Sequence, residues 1–200
     1  MTEDEWWESF DPKAMAALAV ASPRATERVL RLYLAAFWAW QAPRLRQTGG
    51  RAELAARAAL IERWGDDGTA PSEALEIYAA TRVVFFGPDA KEAVTATAGA
   101  PAGWGVRGKP AIRAAAHFLR ELFGPWPFRD ATADPEWLTS TVVALAKGIY
   151  EDRAFDRMPI LADALQDAGC DDALVLDHCR QKKARHARGC WVLDALLQKG

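Results

Sequence analysis

The chain has 200 residues, 50% of them hydrophobic and 26% charged, with 25 Lys and Arg against 27 Asp and Glu for a formal charge of −2. That balance excludes an intrinsically disordered chain, and it excludes a global field able to gather polyanions or anionic lipid. The acidic start MTEDEWWESF is no secretory leader, and no stretch reaches the ~18 uninterrupted apolar residues of a membrane span, so a soluble cytoplasmic protein with no membrane attachment is expected.

Helix signals run from end to end. Thr2 with Glu5 spells a capping box, and Asp11-Pro12 and Ser22-Pro23 each place a capping side chain before a proline, so helices are expected to start at all three points. Val29, Leu30, Tyr33, Leu34, Phe37 and Trp38 recur at helical spacing. Leu32 and Trp40 widen that stripe over most of the circumference, which predicts a central, buried helix. Gly49-Gly50 is expected to close this unit, RAELAARAALIERW to form the next helix, and GDDGTAPS to turn.

Ser72 is placed to cap EALEIYAATRVVFF. Its RVVFF run, residues 82–86, has strand-like composition but continues a helical pattern and is read as helix. Pro88-Asp89 restarts a helix, and GAPAGWGVRGKP, with four glycines and two prolines, reads as the hinge of the chain near residues 99–109. Residues 110–123 form a further helix, followed by the irregular GPWPFRDATADP with Trp126 and Phe128 as its anchors. Thr139 caps STVVALAKGIYEDRAF, Asp156 starts RMPILADALQDAG, Asp171 or Asp172 caps ALVLDHCR, and GCWVLDALLQK makes the last helix. The expected fold is all-α, a compact multi-helix bundle or irregular helical array of about nine to eleven helices. Residues 1–200 are taken as one helical domain, with a subdivision into 1–98 and 110–200.

Three groups of residues carry chemistry. Three cysteines is an odd number, and they cluster with two histidines late in the chain, which favours reduced thiols over a disulfide framework. Thiolate and imidazole are the ligands zinc prefers, so Cys170, His178, Cys190 and His186 form a candidate metal set. Against it, structural zinc sites usually present their ligands in pairs two to four residues apart on knuckles, whereas His178 and Cys179 are adjacent and point about 100° apart on a helix. Small cysteines at helix junctions also pack simply as hydrophobes. A nucleophilic Cys190 with His186 as base lacks any oxyanion motif.

RQKKARHAR supplies Arg180, Lys182, Lys183, Arg185 and Arg188 as a candidate anion or nucleic-acid loop, although the neighbouring aspartates offset it and no aromatic residue interleaves it. Nine tryptophans suit a dense core or a partner surface, and Trp6, Trp7, Trp104 and Trp126 are the candidates for the latter. GWGVRGKP imitates a glycine-rich nucleotide loop, but it follows no strand and carries Pro110 in place of the hydroxyl residue; H-E-x-x-H and G-x-S-x-G are missing, so no catalytic residue and no organic cofactor is assigned.

The stretch DPEWLTSTVVALAKGIYEDRAFDRMPILADALQDAGCDDALVLDHCR, continued by RGCWVLDALLQK, resembles the carboxyl-terminal segment of a much-duplicated bacterial protein family. TEDEWWESFDP followed by ERVLRLYLAAFWAW is similar to the same family's amino-terminal region, with a looser middle between. Members often carry paired cysteines and arginines where this chain has AAFWAW, and a Gly-Pro-rich turn where it has QKKARHA. The resemblance implies a helical, single-unit architecture and no particular activity. A metal or redox role for the family's cysteine pair would be lost here, and the basic loop would be this chain's own feature. The preferred functional reading is a non-enzymatic protein-interaction or regulatory module whose protein partner is unknown. A zinc-binding helical protein is the alternative, and a phosphate or nucleic-acid binder acting through residues 180–188 is the second.

Overall fold

The computed structural model describes residues 1–46, 48–73, 90–99, 108–181 and 184–199. Among them the chain is all-α, with ten helices and no strand. The reading of residues 82–86 as helix, Trp104 with most of its glycine-rich segment, Lys182 and Lys183 lie outside the described residues. The chain divides into two compact units, residues 1–129 and 130–200. That boundary falls within GPWPFRDATADP, whereas the sequence pattern placed its subdivision around residues 98–110.

The first unit holds α1 (Glu3–Glu8), α2 (Pro12–Ala21), α3 (Glu27–Gln41), α4 (Thr48–Asp67), α5 (Ala90–Gly99) and α6 (Lys109–Phe123). The α1 capping box forms in full: Glu5 N–H donates to Thr2 Oγ1, and Thr2 N–H donates to Glu5 Oε2 at 2.8 Å. Asp11 caps α2 by accepting from the N–H groups of Lys13 and Ala14. The third expected start is displaced. Ser22 closes α2 instead, its hydroxyl donating to Ala19 O at 2.7 Å, and Thr26 takes over as the α3 cap by accepting from Val29 N–H.

Helix α3 is the hub, packed by α4, α5 and α6, while α2 packs on α5 and α6. Its broad apolar stripe explains this: Leu30, Tyr33, Leu34 and Phe37 are all fully enclosed. Burial pushes the Tyr33 hydroxyl's pKa upward, because the phenolate would be desolvated. Helix α4 starts earlier and ends later than its glycines suggest. Gly49 and Gly50 sit in its first turn, where amides lack intrahelical partners in any case. Gly65 lies where α4 meets α3, since a β-carbon there would stand 3.2 Å from Arg28 O, Arg31 Cβ and Leu32 Cγ. Leu54, Ala58, Ile61 and Gly65 line this seam at helical spacing. The Arg31 guanidinium, 4.0 Å from the Trp64 ring centroid, and the Arg28–Asp66 ion pair at 3.4 Å border it.

Arg120 ties α1 to α6. Arg120 Nη1 donates to Trp6 O and to Ser9 O, both at 2.8 Å, and partial burial lowers the guanidinium's pKa by desolvation. The Trp6 ring is fully buried and meets Phe128 edge-on at 6.1 Å. Arg120→Met keeps an apolar stem but withdraws both donors. It is expected to destabilise residues 1–129 by about 1–3 kcal/mol, read as a lower urea midpoint at unchanged slope. An unaltered midpoint would remove this link from the account.

The second unit holds α7 (Ser140–Asp152), α8 (Met158–Asp167), α9 (Ala173–Arg180) and α10 (Trp191–Leu197). Thr139 caps α7 through Val142 N–H, and Asp172 caps α9 through Leu174 N–H at 2.8 Å and Val175 N–H at 3.3 Å. Asp156 lies in a 3-10 turn rather than capping α8, which starts with Pro159 in its first turn. Helix α8 packs on α7 and α9, and α10 packs on α7 and α9. Val142, Ala146, Ile149, Leu161, Leu165, Leu193 and Leu196 supply the apolar interior.

Candidate metal centre

The second unit gathers three ligand-type side chains from three separate places. His178 lies in the last turn of α9 and is 9% exposed. Cys190 is the fully buried residue that opens α10, its carbonyl accepting from Asp194 N–H at 2.9 Å. Gly189 before it has φ +86°, a left-handed conformation that glycine adopts without strain and that turns the chain into α10. His186, half-buried, comes from the irregular segment between α9 and α10.

Their ligand atoms lie within 4.8 Å of one another. His178 Nε2 stands 3.1 Å from Cys190 Sγ. The His178 and His186 ring centroids are 5.0 Å apart at 65°. Phe155 flanks His186 at 6.5 Å, and the Trp191 ring lies 5.4 Å from His178 at 61°, so aromatic walls border the group. Two imidazoles and one thiol are a donor set that suits zinc and other borderline or soft cations. Zn–N near 2.0 Å and Zn–S near 2.3 Å put tetrahedral N and S ligands ~3.5 Å apart, so His178 and Cys190 need to separate only by a few tenths of an ångström.

Of the four residues proposed from the sequence, His178, His186 and Cys190 converge, while Cys170 does not belong to the group. It sits in the turn after α8, where its N–H donates to Leu165 O at 2.9 Å. Its thiol pKa is raised, first by burial and further by the charges of Asp172 and Asp171, against a lowering hydrogen bond from the Asp172 backbone. Cys179 is fully buried and likewise outside the group, as the angular offset of adjacent helical residues requires. Trp191 is a buried residue of α10 to which the sequence pattern assigns no part in the site. Its indole N–H donates to His178 Nδ1 at 3.3 Å, a second role whose only sequence trace is its place directly after Cys190.

The basic loop has inward commitments. Arg180 Nη2 donates to Gln166 Oε1 at 2.6 Å and pairs with Asp163 at 3.5 Å. Arg188 Nη2 donates to Glu151 O at 3.1 Å, with its guanidinium 5.4 Å from the Tyr150 ring centroid. Arg185 is exposed. The tryptophans proposed as a partner surface are also partly spent on packing. Trp6 is a core residue, a correction that follows from its full enclosure against Phe128. Trp7 is half-buried, and half-buried Trp126 lies 5.5 Å from the Arg24 guanidinium.

Searches of family models, curated proteins and solved structures return no match to this chain. Among the described residues, no helix is long and apolar enough to cross a membrane.

Proposed function

We propose that residues 130–200 form a zinc-binding helical module, with His178 Nε2, His186 and the Cys190 thiolate as ligands. The supporting observation is the convergence of these three groups within 4.8 Å from α9, an irregular segment and the start of α10. Residues 8 and 12 positions apart in sequence meet only because the chain between them folds back, so their meeting is a tertiary event rather than a local one. The partner-surface reading has a less local basis, since its described tryptophans are enclosed or half-buried on separate elements. The two readings join naturally in a regulatory module whose form depends on a metal ion.

The test is metal binding by the purified full chain. After reconstitution with zinc and desalting, about one ion per chain is expected by elemental analysis, and cobalt in its place is expected to show a thiolate charge-transfer band. Cys190→Ser should abolish that band, while Cys170→Ala should leave it. Wild-type protein that retains no stoichiometric metal, or a Cys190→Ser variant that binds as well as wild type, would refute the reading.

A further inference from the structure

We infer that Trp191 sets the metal affinity of the His178–His186–Cys190 site by holding His178 in the tautomer that must be surrendered when an ion enters. The inference rests on the metal reading above. An indole N–H donates and does not accept. Because Trp191 Nε1 donates to His178 Nδ1 at 3.3 Å, Nδ1 carries no hydrogen, and the neutral ring carries it on Nε2. Nε2 faces Cys190 Sγ at 3.1 Å and donates to it, which completes a directed chain from Trp191 through His178 to Cys190.

This polarity is the reverse of the usual one. A ligating histidine ordinarily donates its second ring N–H to a carbonyl, carboxylate or water, which fixes the ring and strengthens it as a ligand. Here the second nitrogen meets a donor. For Nε2 to bind an ion its hydrogen must leave, and a neutral ring then carries hydrogen on Nδ1, where it points at the Trp191 N–H, itself a donor. The protons balance: the His178 hydrogen moves from Nε2 to Nδ1 by exchange with solvent, the Cys190 thiol releases one proton, and no electrons are transferred. Trp191 must then withdraw its N–H from Nδ1. Its ring is only 2% exposed and it is the first residue of α10, so loading the site repositions a packed side chain at a helix start. The metal-free state is thereby stabilised by its own hydrogen-bond chain. Such a site follows the ambient metal level instead of holding a permanent ion.

Two measurements test this, one without any metal. In metal-free protein with 15N-labelled histidine, long-range proton–nitrogen correlation is expected to place the His178 hydrogen on Nε2, and added zinc is expected to move it to Nδ1. A metal-free spectrum with that hydrogen on Nδ1 overturns the inference. Trp191→Phe keeps an aromatic ring and removes the opposing donor, so zinc affinity measured against a competing chelator is expected to rise roughly 10-fold or more. Unchanged or weaker affinity in a folded variant overturns it, and if the variant does not fold the tautomer measurement decides. Failure of the wild type itself to bind zinc refutes the metal reading and this inference with it, an outcome distinct from a wild type that binds and a variant that binds no better.

Discussion

Phe37→Ala is expected to lower the stability of residues 1–129 by about 3–5 kcal/mol, the range for emptying a buried phenylalanine site. The ring has no exposed surface and lies in the middle of α3, the helix on which α4, α5 and α6 all pack. It is stacked between Tyr33, at a centroid distance of 6.2 Å, and Trp40, at 5.9 Å. Neither neighbour can close the gap easily, because both rings are themselves enclosed and the interior is close-packed. Chemical denaturation should show a lower midpoint at unchanged slope, and the melting temperature of this unit should fall by roughly 10 °C or more. A loss under about 1 kcal/mol would mean that α3 is not the centre of the unit.

Trp191→Ala is the corresponding experiment in residues 130–200. The ring is 2% exposed, and Val192 and Leu193 beside it are buried as well, so α10 meets its unit through its opening residues. Removing the indole is expected to cost about 3–5 kcal/mol, measured on metal-free protein, and the amides of α10 should exchange faster with solvent than in wild type. An unchanged denaturation midpoint would contradict the packing described for α10. Comparison with Trp191→Phe separates the two roles of this residue, since phenylalanine retains most of the apolar contact and loses only the donor.

The fold class was legible because it depends on signals spread over many residues. Apolar spacing in α3, the Thr2–Glu5 box and the Asp11, Thr139 and Asp172 caps each identify a helix from within a few positions, and the folded chain uses all of them. The errors arose where one residue has two possible uses. Ser22 precedes a proline and so resembles a cap, yet its hydroxyl serves the helix behind it. Gly49, Gly50 and Gly65 look like breaks, but the first two occupy a helix's first turn, and the third is small because α3 passes close by, a fact of tertiary structure.

The candidate site was half legible for a similar reason. Residue types marked the region, but the path of residues 181–190 has no periodicity to read, so nothing local showed that His186 returns to His178 while Cys170 stays apart. The polarity of the Trp191–His178 bond was illegible altogether, because it depends on which ring nitrogen faces which neighbour.

The way Arg120 grips α1 has a bearing on how this protein can diverge. Both of its acceptors are main-chain oxygens, on Trp6 and Ser9, and every amino acid offers the same oxygen. The hook is therefore blind to side-chain identity at the two residues whose oxygens it grips. What this link requires is the guanidinium of Arg120, more than 110 residues further along the chain.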